Sequence, residues 1–228
     1  MDKLLSKIDI RVNSSVYKKD PTSSELGQRI VRNGIDLMDE IGFEEFTFKK
    51  LSSVIKSTEA SIYRYFENKH NLLAYFTMWY WGWMDHKVFM ATLNITDNHI
   101  KLRNAIKTLT QEVVEDRGIT MVNEAKLHNI VIQNASKVYL CKQVAADNEH
   151  GFFTAYKDVV ERVAGIILEI RQDFKYPHML VSTIIEGAHH QRFFTEHLPR
   201  LTDVLPGKDA VTSFYVQLME REIGIEGK

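Results

Sequence analysis

The sequence predicts an all-α protein, and three observations carry that reading. Only four prolines occur in 228 residues, and none lies between Pro21 and Pro177. Across that interval apolar residues recur at three and four positions, the period of a buried helix face. Alternation at every second residue, the mark of a strand, is brief at Ile8, Ile10 and Val12, where a short strand is the alternative to a flexible arm. No repeat of fixed period is present, and the pattern resolves into nine or ten helices.

Residues 1–23 are polar and mixed in charge, as expected of a flexible arm. Ser24 is a natural N-cap for a first helix that buries Leu26, Ile30, Ile35, Leu37, Met38 and Ile41 and stops at Gly42. Thr47 or a neighbour caps a second helix, which gives Leu51, Val54 and Ile55 to the core. A third runs from about Ser57 to Phe66, with Ile62 and Phe66 inward, four residues apart. A long helix over roughly 70–92 is dense in aromatics. Asp97 caps the next, which carries Ile100, Ile106, Leu109 and Val113 on one stripe. Helices are then expected over about 124–145, 150–174 and 177–198, the last with Pro177 in its first turn. Pro199, Pro206 and Gly207 mark a loop before a final helix over about 209–222.

Composition bounds the function. With 44% hydrophobic and 26% charged residues the chain can bury a full core, and its formal net charge is only -1. Residues 1–75 hold 12 Lys+Arg against 11 Asp+Glu, a charge of +1. Any binding to DNA must therefore come from charges placed on one face. The single cysteine, Cys141, rules out an intrachain disulfide and reads as a small buried hydrophobe in a reducing cytoplasm. The first residues lack the apolar core of a signal peptide, and the stretch Tyr75 to Met84 falls well short of the roughly 20 apolar residues that span a bilayer. The expectation is a soluble, cytoplasmic protein with no membrane partner.

The most specific signal lies in residues 46–73. Phe46-Thr47-Phe48 opens two short helices, followed by Ile62-Tyr63-Arg64-Tyr65-Phe66-Glu67-Asn68-Lys69 and Leu72-Leu73. A helix that reads DNA must be short, held rigidly from behind, and small or polar in front. Ile62 and Phe66 supply the anchor, and Thr58, Glu59, Ala60 and Ser61 are expected to face base edges in the major groove. Tyr63, Arg64 and Tyr65 can reach phosphates or bases, and Thr47, Lys49 and Lys69 are placed to hold the phosphate backbone. Arg11, Lys18 and Lys19 give the arm a reach towards the minor groove, with a solvated tail as the alternative.

Residues 25–73 resemble the DNA-binding domain of TetR-type transcriptional regulators. The matching positions are Gly42-Phe43, Thr47, Ile62-Tyr63-Arg64-Tyr65-Phe66, Lys69 and Leu72-Leu73. Two positions depart from that pattern. Lys56-Ser57 stands where the family has Gly-Val, so a left-handed turn there costs ~1 kcal/mol. Glu59 either accepts a bond from cytosine or weakens binding, which leaves open a TetR-like fold with impaired DNA binding.

The resemblance implies an N-terminal arm (1–23), a helix-turn-helix domain (24–70) and a C-terminal helical ligand-binding and dimerisation domain (71–228). It further implies a homodimer on a palindromic double-stranded operator, with the recognition helices about 34–36 Å apart. A small-molecule effector would release the repressor, with no cofactor and no enzymatic activity. Phe76, Trp79, Tyr80, Trp83 and Phe152 are the candidate ligand lining, although aromatic stripes at this spacing also build cores. Leu180, Ile184, Gly187, Ala188 and Gln191 on one helix, with Phe214 and Leu218 on the last, are the candidate dimer contacts. The rival is a helical-bundle metal-dependent oxidase using Glu186 and His189, an incomplete half of a di-iron ligand set. No phosphate-binding loop, nucleophile elbow, zinc-protease pair or Cys-x-x-Cys occurs.

Overall fold

A computed structural model describes residues 10, 12–115 and 122–224. The described residues form eleven α-helices and three single 3-10 turns, with no strand. The helices are α1 (Glu25–Glu45), α2 (Phe48–Val54), α3 (Glu59–Tyr63), α4 (Lys69–Thr92), α5 (Asn98–Thr110) and α6 (Glu124–Gln133). They continue with α7 (Ala135–Tyr139), α8 (Val144–Glu149), α9 (Thr154–Ile170), α10 (Pro177–His197) and α11 (Ala210–Ile223). None is long and apolar enough to cross a membrane.

Local chemistry sets most of the starts. The side chains of Ser24, Thr47, Asp97 and Asp209 accept backbone N–H bonds at the first turns of α1, α2, α5 and α11. Gly42 leaves the helical region with φ 75° and ψ 161°, so the regular part of α1 ends there and one further turn carries on to Glu45. The helix expected over 124–145 is instead three pieces. Asn134 donates its side-chain amide to the Ile130 carbonyl at 2.8 Å, competes with the backbone and closes α6. A second turn, with Val144 N–H bonded to the Cys141 carbonyl at 3.2 Å, separates α7 from α8.

The described chain divides into two compact units. One runs to Trp83 and takes up Val113–Ala155; the other holds Met84–Glu112 and everything from Tyr156 onward. In the first, Ile30, Ile35, Met38, Leu51, Ile55, Ile62, Phe66, Leu72 and Leu73 form the core, and α6 packs along α1. Val54, expected inside, is 50% exposed. In the second, α5, α10 and α11 pack on one another around Leu102, Ile106, Ile184 and Met219, while Ile100 faces out.

The segment before α1 departs from the expected flexible arm. Val16 and Pro21 are buried, and Lys18 N–H bonds the Tyr65 carbonyl at 2.7 Å. Asn13 donates to the His150 carbonyl at 3.0 Å, and Tyr17 meets Tyr75 edge-on at 6.2 Å. Apolar anchors among polar neighbours, too few to show a period, account for the difference. Of the three arm residues expected to reach a minor groove, Arg11 lies outside the described residues, as do residues 1–9.

Candidate nucleic-acid interface

Two short helices and their turn build the site. Thr47 caps α2, its hydroxyl accepting from Lys50 N–H at 3.1 Å. At the other end of α2, Ser57 N–H reaches the Ser52 carbonyl at 2.9 Å and Lys56 N–H the Ser53 carbonyl at 3.3 Å. That pair is a Schellman closure, and it demands a left-handed residue between them. Lys56 supplies it with φ 49°, as the sequence requires of a turn without glycine. The Arg29 guanidinium of α1 also donates to the Ile55 carbonyl, tying the turn to the first helix.

Thr58 caps α3, accepting from Ser61 N–H at 3.2 Å, while the two hydroxyls share a bond of 2.7 Å. Ile62 and Phe66 are fully buried behind α3. Tyr63 remains 45% exposed, with its ring edge-on to Phe48 at 5.0 Å. Thr47, Lys49, Thr58, Ala60 and Arg64 are exposed, and Glu59 and Ser61 half-exposed. With half-exposed Lys69 at the start of α4, nine of the ten predicted DNA-facing residues are exposed or half-exposed.

Tyr65 and Lys69 are corrections. Tyr65 is only 3% exposed, and its hydroxyl shares a 2.7 Å bond with Ser24. That bond, ahead of the opposing effect of burial, holds the phenol below its usual range. The Lys69 ammonium lies 2.9, 3.1 and 3.3 Å from the carbonyl oxygens of Phe43, Glu44 and Phe46, and 4.5 Å from the Phe43 ring centre. It closes the backbone just past Gly42 instead of facing phosphate. Lys56, which the sequence assigned only to the turn, is also an exposed cation beside the two helices.

The candidate ligand lining resolves mainly into core. Phe76, Tyr80 and Trp83 are buried, with the Tyr80 hydroxyl 2.8 Å from His128 Nδ1. Trp79 is half-buried, and Phe152 alone of the five lines a described cleft. Burial places these rings where packing, which asks for the same spacing as a pocket, uses them.

The candidate dimer contacts divide. Ile184 and Ala188 are buried, and Gly187 faces Tyr215 within the same unit, so these three serve the packing of α10 on α11. Leu180, Gln191 and Leu218 are half-buried and Phe214 is exposed. Gln191 and Phe214 line a surface cleft of about 360 Å³ together with Leu201. Glu186 accepts from the Tyr156 hydroxyl at 2.7 Å, and His189 is buried. Among the described residues no three His, Cys, Asp or Glu side chains come together to hold a metal ion.

The fold is similar to that of the superantigen PfiT, with a TM-score of 0.59 and 14% identity over 89% of this chain and 97% of that one. It is also similar to a bacterial regulatory protein of the tetR family from Rhodococcus RHA1. There the TM-score is 0.53 at 11% identity, over 90% of this chain and 98% of the other. No family model matches the sequence, and a search of curated proteins gave no match. The chain therefore has a TetR-like, all-α fold.

Proposed function

We propose that this chain is a non-enzymatic, homodimeric, sequence-specific DNA-binding regulator, and that it acts as a repressor released by a small molecule. The observation that carries this reading is the construction of α3. Ile62 and Phe66 are buried behind it, while Thr58, Ala60, Tyr63 and Arg64 stay exposed beside Thr47 and Lys49. A helix with no more than five residues, capped and anchored in this way, has the form that inserts into a major groove. Release requires an effector that binds one conformation of the protein better than the other.

Selection of bound sequences from random duplex DNA tests the proposal. A palindrome should be enriched, with half-sites about one helical turn apart. Arg64→Ala should then weaken binding to every sequence and lower the salt slope by about one, whereas Glu59→Gln should change base preference by ~1–3 kcal/mol at one position. A second reading, the same fold without DNA binding, is favoured by Glu59 on α3 and by the engagement of Tyr65 and Lys69 elsewhere. The resemblance to a superantigen also makes clear that this fold serves more than one function. Absence of binding to any duplex at low salt selects that second reading.

A further inference from the structure

Within the first unit, a cleft of about 430 Å³ opens where the start of α4 meets α7 and α8. Small-molecule sites span about 300–1,000 Å³ and combine an apolar lining with a few polar groups. Here Leu73, Val138 and Phe152 give the apolar lining, and Asn71, Lys137 and Asp147 are among the polar groups. The Lys137 ammonium lies 3.0 Å from Asn134 Oδ1 and 3.1 Å from Glu44 Oε1. Glu44 is three-quarters exposed, so water screens this pair and a better-sheltered carboxylate can compete for the lysine. Asp147 also lines the cleft, beside His70 and His150, and its negative charge disfavours a polyanion such as phosphate more than a singly charged carboxylate.

We propose that this cleft binds a small monocarboxylate with an apolar body. The carboxylate takes the Lys137 ammonium from Glu44 and a hydrogen bond from the Asn71 amide, while the body lies on Leu73, Val138 and Phe152. Glu44 belongs to the turn after Gly42 that leads into α2, so occupancy releases a tie between α7 and the helix-turn-helix. This last link to regulation rests on the DNA-binding reading; the site itself does not.

The test titrates the full chain, without DNA, with phenylacetate and with neutral phenylacetamide, followed by calorimetry. Phenylacetate should saturate and bind at least about tenfold more tightly than the amide, a difference worth about 1.4 kcal/mol. Lys137→Gln should abolish that preference, and the exposed Glu44→Gln should strengthen phenylacetate binding severalfold by removing the competitor. Failure to saturate by about 10 mM, equal affinity for the two probes, or a preference that survives Lys137→Gln overturns the site. If phenylacetate binds but leaves affinity for a selected operator unchanged, the site stands and the regulatory link falls.

Discussion

Lys69 shows how far a motif can specify a residue. Its spacing from Tyr65 and Leu72 fits a contact to the DNA backbone, but its ammonium bonds three carbonyl oxygens between Phe43 and Phe46. A carbonyl left over at a helix end and a phosphate oxygen attract the same cation, and spacing along one helix cannot tell them apart. The partners lie 23 to 26 residues away, brought in by the packing of α4 on the end of α1. Hydrogen bonds from a charged donor are worth about 1.5–3 kcal/mol, so Lys69→Met should lower the unfolding free energy in urea by about 2 kcal/mol. The slope of log affinity against log salt for duplex DNA should not change. A slope lowered by about one with stability intact would return Lys69 to phosphate. Tyr65 follows the same logic through Ser24, whereas Lys56 was legible because a left-handed turn position is a purely local demand.

Elements were legible to the extent that their ends are local. Ser24, Thr47 and Asp97 announce their helices, since a cap needs only its own first turn, and Asp209 caps the last helix in the same way. The breaks after Gln133 and Tyr139 were hidden, because apolar residues continue at helical spacing while Asn134 bonds its own helix. Faces were hidden too: the small residues of α10 suit an intersubunit seam and an internal one equally. A Cβ added at Gly187 would stand 3.0 Å from Tyr215 Cζ and closer still to its hydroxyl, and Tyr215 is too buried to swing aside. Gly187→Ala should therefore cost about 1–3 kcal/mol, and Tyr215→Phe in the same chain should recover part of it in a double-mutant cycle. Strict additivity would mean that the two helices separate instead. Nearby, Arg192 donates to the Thr110 carbonyl at 2.7 Å and to Asp209 at 2.6 and 2.7 Å, joining α5, α10 and α11. Burial pushes the Asp209 carboxyl up, but bonds from Arg192 and Thr212 outweigh it and hold the group below its ordinary value. Its folded value then lies below its unfolded one, so the stabilisation is complete above the unfolded value of ~3.9 and disappears as pH falls through the folded value. Urea midpoints of the wild type and Asp209→Asn should differ by a constant amount above about pH 5 and converge in stronger acid. A difference that persists unchanged through that range would show that the carboxyl's charge contributes nothing.

For the whole molecule, the proposed dimer needs a surface that one chain leaves uncovered. Within the second unit, Leu201, Val204, Leu205 and Phe214 are each at least half exposed, and Leu201 and Phe214 line the same cleft. Apolar groups shared by one cleft are a stronger sign of an interface than the same residues scattered singly. The proposed palindromic operator supplies a two-fold axis, and a two-fold contact uses the same patch on both copies. One chain's Phe214 would then meet the equivalent region of the second copy, and a charge introduced there is duplicated across the axis. Leu201→Asp with Phe214→Asp should accordingly convert a sedimenting dimer to a monomer without loss of helical circular dichroism. Linking two half-site contacts raises affinity by about 10²–10⁴, so the same variant should lose at least about 10² in affinity for the palindrome while binding a single half-site as before. A dimer that survives both substitutions would move the interface elsewhere on the chain. Equal losses on the palindrome and the half-site would mean that the substitutions had damaged the DNA-binding head itself.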